Sequence, residues 1–378
     1  MTGGISITQC NNEALRVLLV EPKYYTRYPP LGLLKLSTYY KSMGAEVKFV
    51  RGLEKIFDFK PDKIEITSLF TYSWIQVHET INYYCHQFPS AEITVGGIYA
   101  SLMPNKIIKE FSNINVQIGL NKNADHLMPD YSILSSVEKW NDWDGSIIFT
   151  SRGCVNKCPF CMVPVLEGKM RSVLSDPATR VYEEHSRIII WDNNFLASKD
   201  WKEKLEKLKL TNKWIDFNQG LDARLIDEKK AKALADMKIR EFRMAYDGDQ
   251  EKESVHRAVD YFSDLGVNKR RISFYTLYNF YLEDNVNNDT PESFYRRVLD
   301  ILNMGCVSYP MRFVPLNADK KNNFVSPNWT AQQLEAVARA RRVIGFGGAF
   351  PPYAALISKF KNAEGFDEAF KLNPVKEK

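Results

Sequence analysis

The sequence predicts an α/β protein made of two sheet-based parts and a small helical end. Three observations carry this. Short apolar runs alternate with amphipathic helical runs along most of the chain. The alternation breaks once, at a polar stretch over residues 121–145. And 378 residues suffice for two or three domains of roughly 100–200 residues each. A chain that is 44% hydrophobic and 26% charged has the balance of folded globular domains, which excludes disordered, collagenous and disulfide-stapled classes.

The elements follow in order. Residues 16–20 form an apolar run closed by Glu21-Pro22, and 31–43 have helical spacing stopped by Gly44, a natural C-terminal cap. Strands are expected at 46–50, 64–68, 92–95 and 116–119, with a helix at 75–87. Short apolar strands alternating with helices predict a parallel, doubly wound, Rossmann-like sheet over 14–120. Ligands on such sheets bind at the carboxyl ends of the strands, which puts 21–30, 69–74 and 96–101 on the candidate edge. Residues 121–145 show no sustained period and read as a linker.

After it the alternation resumes. Strands are expected at 146–151, 187–192, 215–219, 241–246, 271–276 and 306–314. Amphipathic helices at 202–210, 228–237, 251–265 and 291–304 separate most of them. Six such units over 146–318 predict a barrel-like parallel sheet, a partial (β/α)6 form of the eight-stranded TIM barrel, with its site at the strand carboxyl ends. Residues 319–378 read as a helical appendage. One helix starts at Thr330, whose capping box partner is Gln333, and ends near Gly345, where the Gly/Phe/Pro stretch of 345–352 breaks regular structure.

Of six Cys, three fall within eight residues: Cys154-Val155-Asn156-Lys157-Cys158-Pro159-Phe160-Cys161, a C-x3-C-x2-C pattern at the end of the first barrel strand. Thiolates at this density select zinc or an iron–sulfur cluster. Structural zinc wants a fourth ligand, usually in a second Cys or His pair, and Cys10, Cys85, Cys306 and His185 offer no paired spacing. Three thiolates on a four-iron cluster leave one iron free to chelate a small molecule. The five His are scattered, with His78 and His86 two turns apart, and read as core or surface residues.

This loop resembles the signature of the radical S-adenosylmethionine (SAM) superfamily, in which an aromatic, here Phe160, precedes the third Cys. The resemblance implies that Cys154, Cys158 and Cys161 hold a [4Fe-4S] cluster whose open iron binds the amino and carboxylate groups of SAM. Reductive cleavage would then yield a 5′-deoxyadenosyl radical that acts on an unidentified substrate. It also implies an external one-electron donor of flavodoxin or ferredoxin type. After the second barrel strand, Trp191-Asp192-Asn193-Asn194-Phe195 resembles a variant of the motif that contacts the SAM amine, with Asp192 and Asn194 as acceptors; capping the next helix is the alternative. Arg224 could pair with the SAM carboxylate or with Asp222 or Asp227. Asp247 could accept from the ribose or form a turn. On the fifth and sixth strands, Tyr275 and Arg312 are candidates for the barrel mouth facing substrate, the alternative being a Tyr-rich core.

Upstream, Tyr28-Pro29-Pro30-Leu31-Gly32-Leu33 and Val95-Gly96-Gly97-Ile98-Tyr99 resemble two stretches of the cobalamin (B12)-binding domain that precedes many radical SAM cores. Pro30, Gly32, Gly96 and Gly97 are the candidate contacts, small residues letting a flat ligand approach the backbone. The Asp-x-His-x-x-Gly cobalt motif is absent. With cobalamin, the implied reaction is methyl transfer to carbon; without it, rearrangement, oxidation or RNA or peptide modification. A methylthiotransferase would need three N-terminal Cys, which the chain lacks, and a non-catalytic iron–sulfur carrier would want four ligands per cluster.

Net charge is +5, unevenly placed, with a mildly basic end over 319–378 but without the strongly basic stripe of nucleic-acid binders. Residues 1–15 lack a secretory pattern and no apolar run approaches membrane-spanning length, so a cytoplasmic location with reduced thiols is expected.

Overall fold

The structure, a computed structural model, describes residues 14–283, 288–345 and 353–371. Cys10 and residues 346–352 lie outside the described residues. The chain divides into two compact units, with the boundary between Trp143 and Asp144. No helix among the described residues is long and apolar enough to cross a membrane.

In the first unit, β1 (Arg16–Glu21), β2 (Glu46–Arg51), β3 (Lys63–Ser68), β4 (Glu92–Gly97) and β5 (Asn115–Val116) form one parallel sheet in the order β2-β1-β3-β4-β5. Alternate residues of β1 serve opposite faces, as a period of two requires. Leu18 and Val20 join Val77, Ile81 and Tyr84 of helix α2 (Trp74–Gln87). Val17 and Leu19 join Leu33, Leu34 and Tyr40 of helix α1 (Leu31–Ser42). Burial on both faces defines the doubly wound arrangement. The order reverses between β1 and β3, so the carboxyl ends of those strands flank the switch point where ligands enter such sheets. Short helices α3 (Ile98–Leu102) and α4 (Pro104–Glu110) follow β4; the break at Pro104 keeps either from showing a periodic pattern.

Residues 121–143 are not a free linker. Ile133, Leu134, Val137 and Trp140 are buried in the α1-side core. The Trp140 indole donates to Glu21 Oε2 at 2.8 Å, and Ser37 donates to Asp130 at 2.6 Å. One helix of twelve residues leaves part of that sheet face bare, and these four apolar anchors, hidden in a polar stretch, cover it.

The second unit has six parallel strands among the described residues, in two sheets. β6 (Ser146–Ile148), β9 (Arg187–Ile190) and β10 (Trp214–Phe217) pair in the order β10-β9-β6; β11 (Phe242–Ala245), β12 (Ile272–Tyr278) and β13 (Val307–Arg312) pair in the order β11-β12-β13. Two isolated bridges, Ile215 to Ile239 and Leu221 to Met244, join β10 to the β11 side, completing the partial (β/α)6 arc. Helices α6 (Trp201–Leu210), α7 (Glu228–Ala235), α8 (Lys252–Asp264) and α9 (Pro291–Asn303) follow their strands. The expected single strand over 146–151 is instead β6 and then β7 (Ser151–Arg152), which pairs antiparallel with β8 (Arg171–Ser172). The change of direction occurs at Thr150, whose N–H leaves the ladder for Asp192. Helix α5 (Val163–Leu166) lies between β7 and β8.

The last region adds two helices to the one expected. α10 (Ala331–Gly345) starts at the Thr330–Gln333 capping box. It packs with α11 (Tyr353–Asn362) and α12 (Phe366–Phe370) around Trp329, Phe294 and Phe360.

Candidate functional site

The Cys loop is the connection inside the β7–β8 hairpin, and the hairpin geometry depends on Gly153. Its φ is +74°, and a Cβ there would lie 2.6 Å from the Gly168 carbonyl oxygen and nearer still to that of Lys169. Only glycine fits that approach. Glu167 then fastens the loop. One carboxylate oxygen accepts from Gly153 N–H at 2.8 Å and from Asn193 Nδ2 at 2.9 Å, and the other from Arg152 at 3.0 Å. Backbone N–H groups of Asn156 and Val163 point at the sulfurs of Cys154 and Cys161, at 3.4 and 3.5 Å.

Behind the loop lies a buried polar frame. Asp192, 2% exposed, accepts from Thr150 N–H at 2.6 Å, Thr150 hydroxyl at 2.5 Å and Ser151 hydroxyl at 2.6 Å. Burial raises its pKa despite these donors. The fully buried Lys204 bridges the Thr150 carbonyl (3.1 Å), Ser172 (2.9 Å), Ser198 (3.1 Å) and Asp200 (2.8 Å). Against the pull of burial, Lys204, Ser198 and Ser172 hold the Asp200 carboxyl down to about 2.

A cleft at the carboxyl ends of the barrel strands opens to solvent, about 820 Å³ of empty space with the solvent at its mouth counted. Cys154, Cys158, Phe160, Cys161, Asn194, Arg224, Asp247 and Tyr275 all line it. Among the described residues no three metal-ligating side chains converge on one point, so the loop offers three separate thiols facing a shared space. Burial first, then its neighbour Cys161, pushes the Cys158 thiol up to about 11, with Arg224 opposing. Phe160 packs edge-on against Phe280, ring centres 5.4 Å apart.

Asn194 is 3% exposed. Its Nδ2 donates to Asp222 at 2.9 Å, but its Oδ1 is buried with no partner. An unmet buried acceptor costs about 1–3 kcal/mol, so the position is built for a donor. Asp222 gathers Asn156, Asn194 and the Arg224 fork, whose Nε and Nη2 lie 2.7 and 2.9 Å away. Of the two acids weighed for Arg224, Asp222 is the partner; Asp227 caps α7 and pairs with Lys230. Burial works to raise the Asp222 pKa, yet Arg224 and the two amides bring it below its usual range.

Asp247 is drawn the other way. Burial, then the Glu251 charge, pushes its carboxyl up to about 7, against the Leu277 N–H donated at 3.1 Å. Native Asp247 therefore keeps a proton that the unfolded chain loses near pH 3.9. Between those values the native state binds more protons, so stability falls as pH rises. Asp247→Asn is expected to flatten this fall, read as a smaller loss of the urea midpoint between pH 5 and pH 8. An unchanged loss would mean that Asp247 is ionised in the native state.

Two candidates do not face the cleft. Asp192 sits behind the Cys loop as its anchor, because Thr150 and Ser151 present three donors that only a buried carboxylate matches. Arg312, the last residue of β13, does not line the cleft: it donates to the Phe324 carbonyl at 2.8 Å and holds the segment after β13. Sequence reasoning missed Glu167, Asp222 as a hub, and Glu251. Glu167 belongs to no motif; its one signal is being the sole acid between residues 153 and 175.

In the first unit, Pro30 starts α1, its carbonyl accepting from Leu33 and Leu34 at 2.9 and 3.1 Å. Added Cβ atoms at Gly32 and Gly96 meet nothing tight. Gly97 differs: its φ is +104°, and a Cβ would lie 3.0 Å from the Ser68 backbone nitrogen and closer to its carbonyl oxygen. The demand for glycine there comes from β3. His78 is a core residue, held by Glu110 (2.6 Å) and Tyr99 (2.7 Å).

No family model matches the sequence, and no curated protein matches it either. Solved structures do. The radical SAM methyltransferase TsrM from Kitasatospora setae, with cobalamin and a [4Fe-4S] cluster bound, superposes with a TM-score of 0.62 at 15% identity, covering 81% of this chain and 74% of that one. The same enzyme with tryptophan substrate and a SAM analogue bound gives 0.60 at 15% identity, covering 80% and 75%. At that identity the likeness is one of architecture: this chain has the fold of the radical SAM methyltransferase TsrM, a doubly wound sheet followed by a partial (β/α)6 barrel.

Proposed function

We propose that the protein is a radical SAM enzyme, with Cys154, Cys158 and Cys161 holding a [4Fe-4S] cluster that leaves one iron for SAM. The observation that carries this is the cleft itself, where three thiols and the unpartnered Asn194 Oδ1 share one space. When bound, the cluster supplies the electron that cleaves SAM reductively and starts radical chemistry.

The residues of the chain bind and orient. Asn194 Oδ1 and the ionised Asp222 suit an ammonium group, which has three donors and no acceptor. The Arg224 Nη1, outside the Asp222 fork and 3.8 Å from Glu251, can donate to a carboxylate. Together they match the two ends of an amino acid. Asp247, protonated near neutral pH, can donate to or accept from a sugar hydroxyl, and Tyr275 borders the space left for substrate. Phe160 adds an apolar wall that keeps water from the reacting groups.

The finer reading is cobalamin-dependent methyl transfer to a carbon of an unidentified substrate. Its support is the doubly wound β2-β1-β3-β4-β5 order of the first unit and the likeness to TsrM, over more of the chain than either unit supplies alone. Pro30, Gly32, Gly96 and Gly97 remain the proposed contacts, at or near the carboxyl edge of that sheet. The test is anaerobic reconstitution with iron and sulfide, with and without hydroxocobalamin, followed by dithionite and SAM. 5′-Deoxyadenosine or S-adenosylhomocysteine is the expected product, with cobalamin retained on the protein. An intact cluster that yields neither product overturns the enzyme reading; products without cobalamin retention overturn only the methyl-transfer reading.

A further inference from the structure

The carboxyl edge of the first sheet, where the strand order reverses, is closed by the chain's own side chains. β1 ends at Glu21 and β3 at Ser68, and ligands of doubly wound sheets enter the crevice between two such ends. Glu21 is 1% exposed; its carboxylate accepts from the Trp140 indole and pairs with Arg51 at 3.2 Å. Tyr24 turns back over the strand ends. Its N–H donates to the Pro22 carbonyl at 2.8 Å, and its own carbonyl accepts from Arg51 Nη2 at 2.7 Å. Its side chain, 6% exposed, packs in the α2-side core and hydrogen-bonds with Thr67. Because Val20 pairs with Ile66, Thr67 is the β3 residue level with Glu21, so this bond spans the gap between the two ends. The next gap is closed as well: the Ser68 hydroxyl donates to the Gly96 carbonyl at 2.8 Å and accepts from Ala100 N–H at 3.0 Å. A crevice filled by packed and paired groups opens only if they are unpaired.

Cobalamin has two parts of different shape, a flat corrin ring and a bulky nucleotide tail. We infer that the first unit takes corrinoids by the ring alone, on the rim outside the strand ends, with the tail kept out of the crevice that Tyr24, Glu21 and Trp140 fill. The inference rests on the cobalamin-dependent reading above. The rim itself suits a flat ring, since an added Cβ at Gly32 or Gly96 meets nothing closer than 3.6 Å and the backbone there is open to approach. Tyr24 is then a specificity-determining residue. A crevice that admitted the tail would tell corrinoids apart by their lower base, and this one treats them alike.

The test compares hydroxocobalamin with cobinamide, the same ring without the nucleotide tail, by equilibrium dialysis against the full chain, read from the corrin absorption. The two dissociation constants are expected to agree within about threefold. Tyr24→Ala takes the ring out of the gap between β1 and β3, and is expected to favour cobalamin over cobinamide by about fivefold or more. Tyr24→Phe keeps the ring and stays at the wild-type ratio. A preference of about tenfold for cobalamin in the wild-type chain overturns the inference while leaving the cobalamin reading intact. An unchanged ratio in a folded Tyr24→Ala protein removes Tyr24 as the residue that excludes the tail. Failure to bind either corrinoid overturns the cobalamin reading, and this inference with it.

Discussion

Cys158→Ala, reconstituted anaerobically with iron and sulfide, is expected to lack the broad iron–sulfur absorption band and to lose at least ~100-fold in SAM cleavage, because a cluster needs the thiolates that hold it. The loss is chemical rather than structural. The Cys158 carbonyl, which accepts from Cys161 N–H at 3.0 Å, is retained in alanine, so the metal-free variant unfolds at the wild-type temperature. Cys306→Ala supplies the contrast. Cys306 is fully buried in the barrel core and does not line the cleft, and burial drives its thiol up to about 12. That variant keeps its iron and loses about 1–2 kcal/mol, the scale of a trimmed core side chain. Iron per chain and a denaturation curve on both proteins check the pair. A Cys158→Ala protein that turns over at the wild-type rate removes Cys158 from the ligand set.

Gly153→Ala is expected to damage the same loop from the backbone side. Alanine at φ +74° costs about 1–3 kcal/mol in strain alone. The added methyl also strikes the Gly168 and Lys169 carbonyls, so β7 and β8 must separate. That separation pulls Gly153 N–H from Glu167 and moves Cys154 away from Asn194. Iron loading is expected to drop about tenfold, with a lower unfolding temperature measured on the metal-free chain. Native loading and stability in Gly153→Ala would refute the close approach between the two hairpin arms.

Much of this was legible in residue order. The run 17–20 marks a strand because β1 is buried on both faces and is continuously apolar, whereas 46–50, on the sheet edge, keeps the charged Glu46 and Lys48 among its apolar residues. The C-x3-C-x2-C spacing singles out the loop that brings three thiols to the cleft, because thiols so close have few other uses. What escaped reading depends on contacts distant in sequence. Trp140 is one tryptophan in a polar stretch until its indole meets Glu21, 119 residues away. Asp192 and Asn194 stand two apart in one motif, yet one faces back into Thr150 and Ser151 while the other faces the cleft. No spacing rule separates them, since the direction of each is set by which donors the hairpin presents. Arg312 ends the last strand of the arc, but the Phe324 carbonyl captures it first.

The seam between β10 and β11 has a consequence for how the barrel breathes. Elsewhere neighbouring strands of the arc share runs of paired residues, but here two bridges hold, at Ile215 and Leu221. Residues Gln219–Arg224, which carry Asp222 and Arg224 into the cleft, hang from the second of these. Opening free energy follows the number of shared backbone bonds, so this wall is the cheapest part of the barrel to part. In hydrogen exchange, the amides of Gly220 and Leu221 should trade their protons well before those of Ile189 or Phe274. The Asp222–Arg224 pair, proposed to hold one end of an amino acid, is thus mounted on the seam of the barrel with the fewest shared backbone bonds.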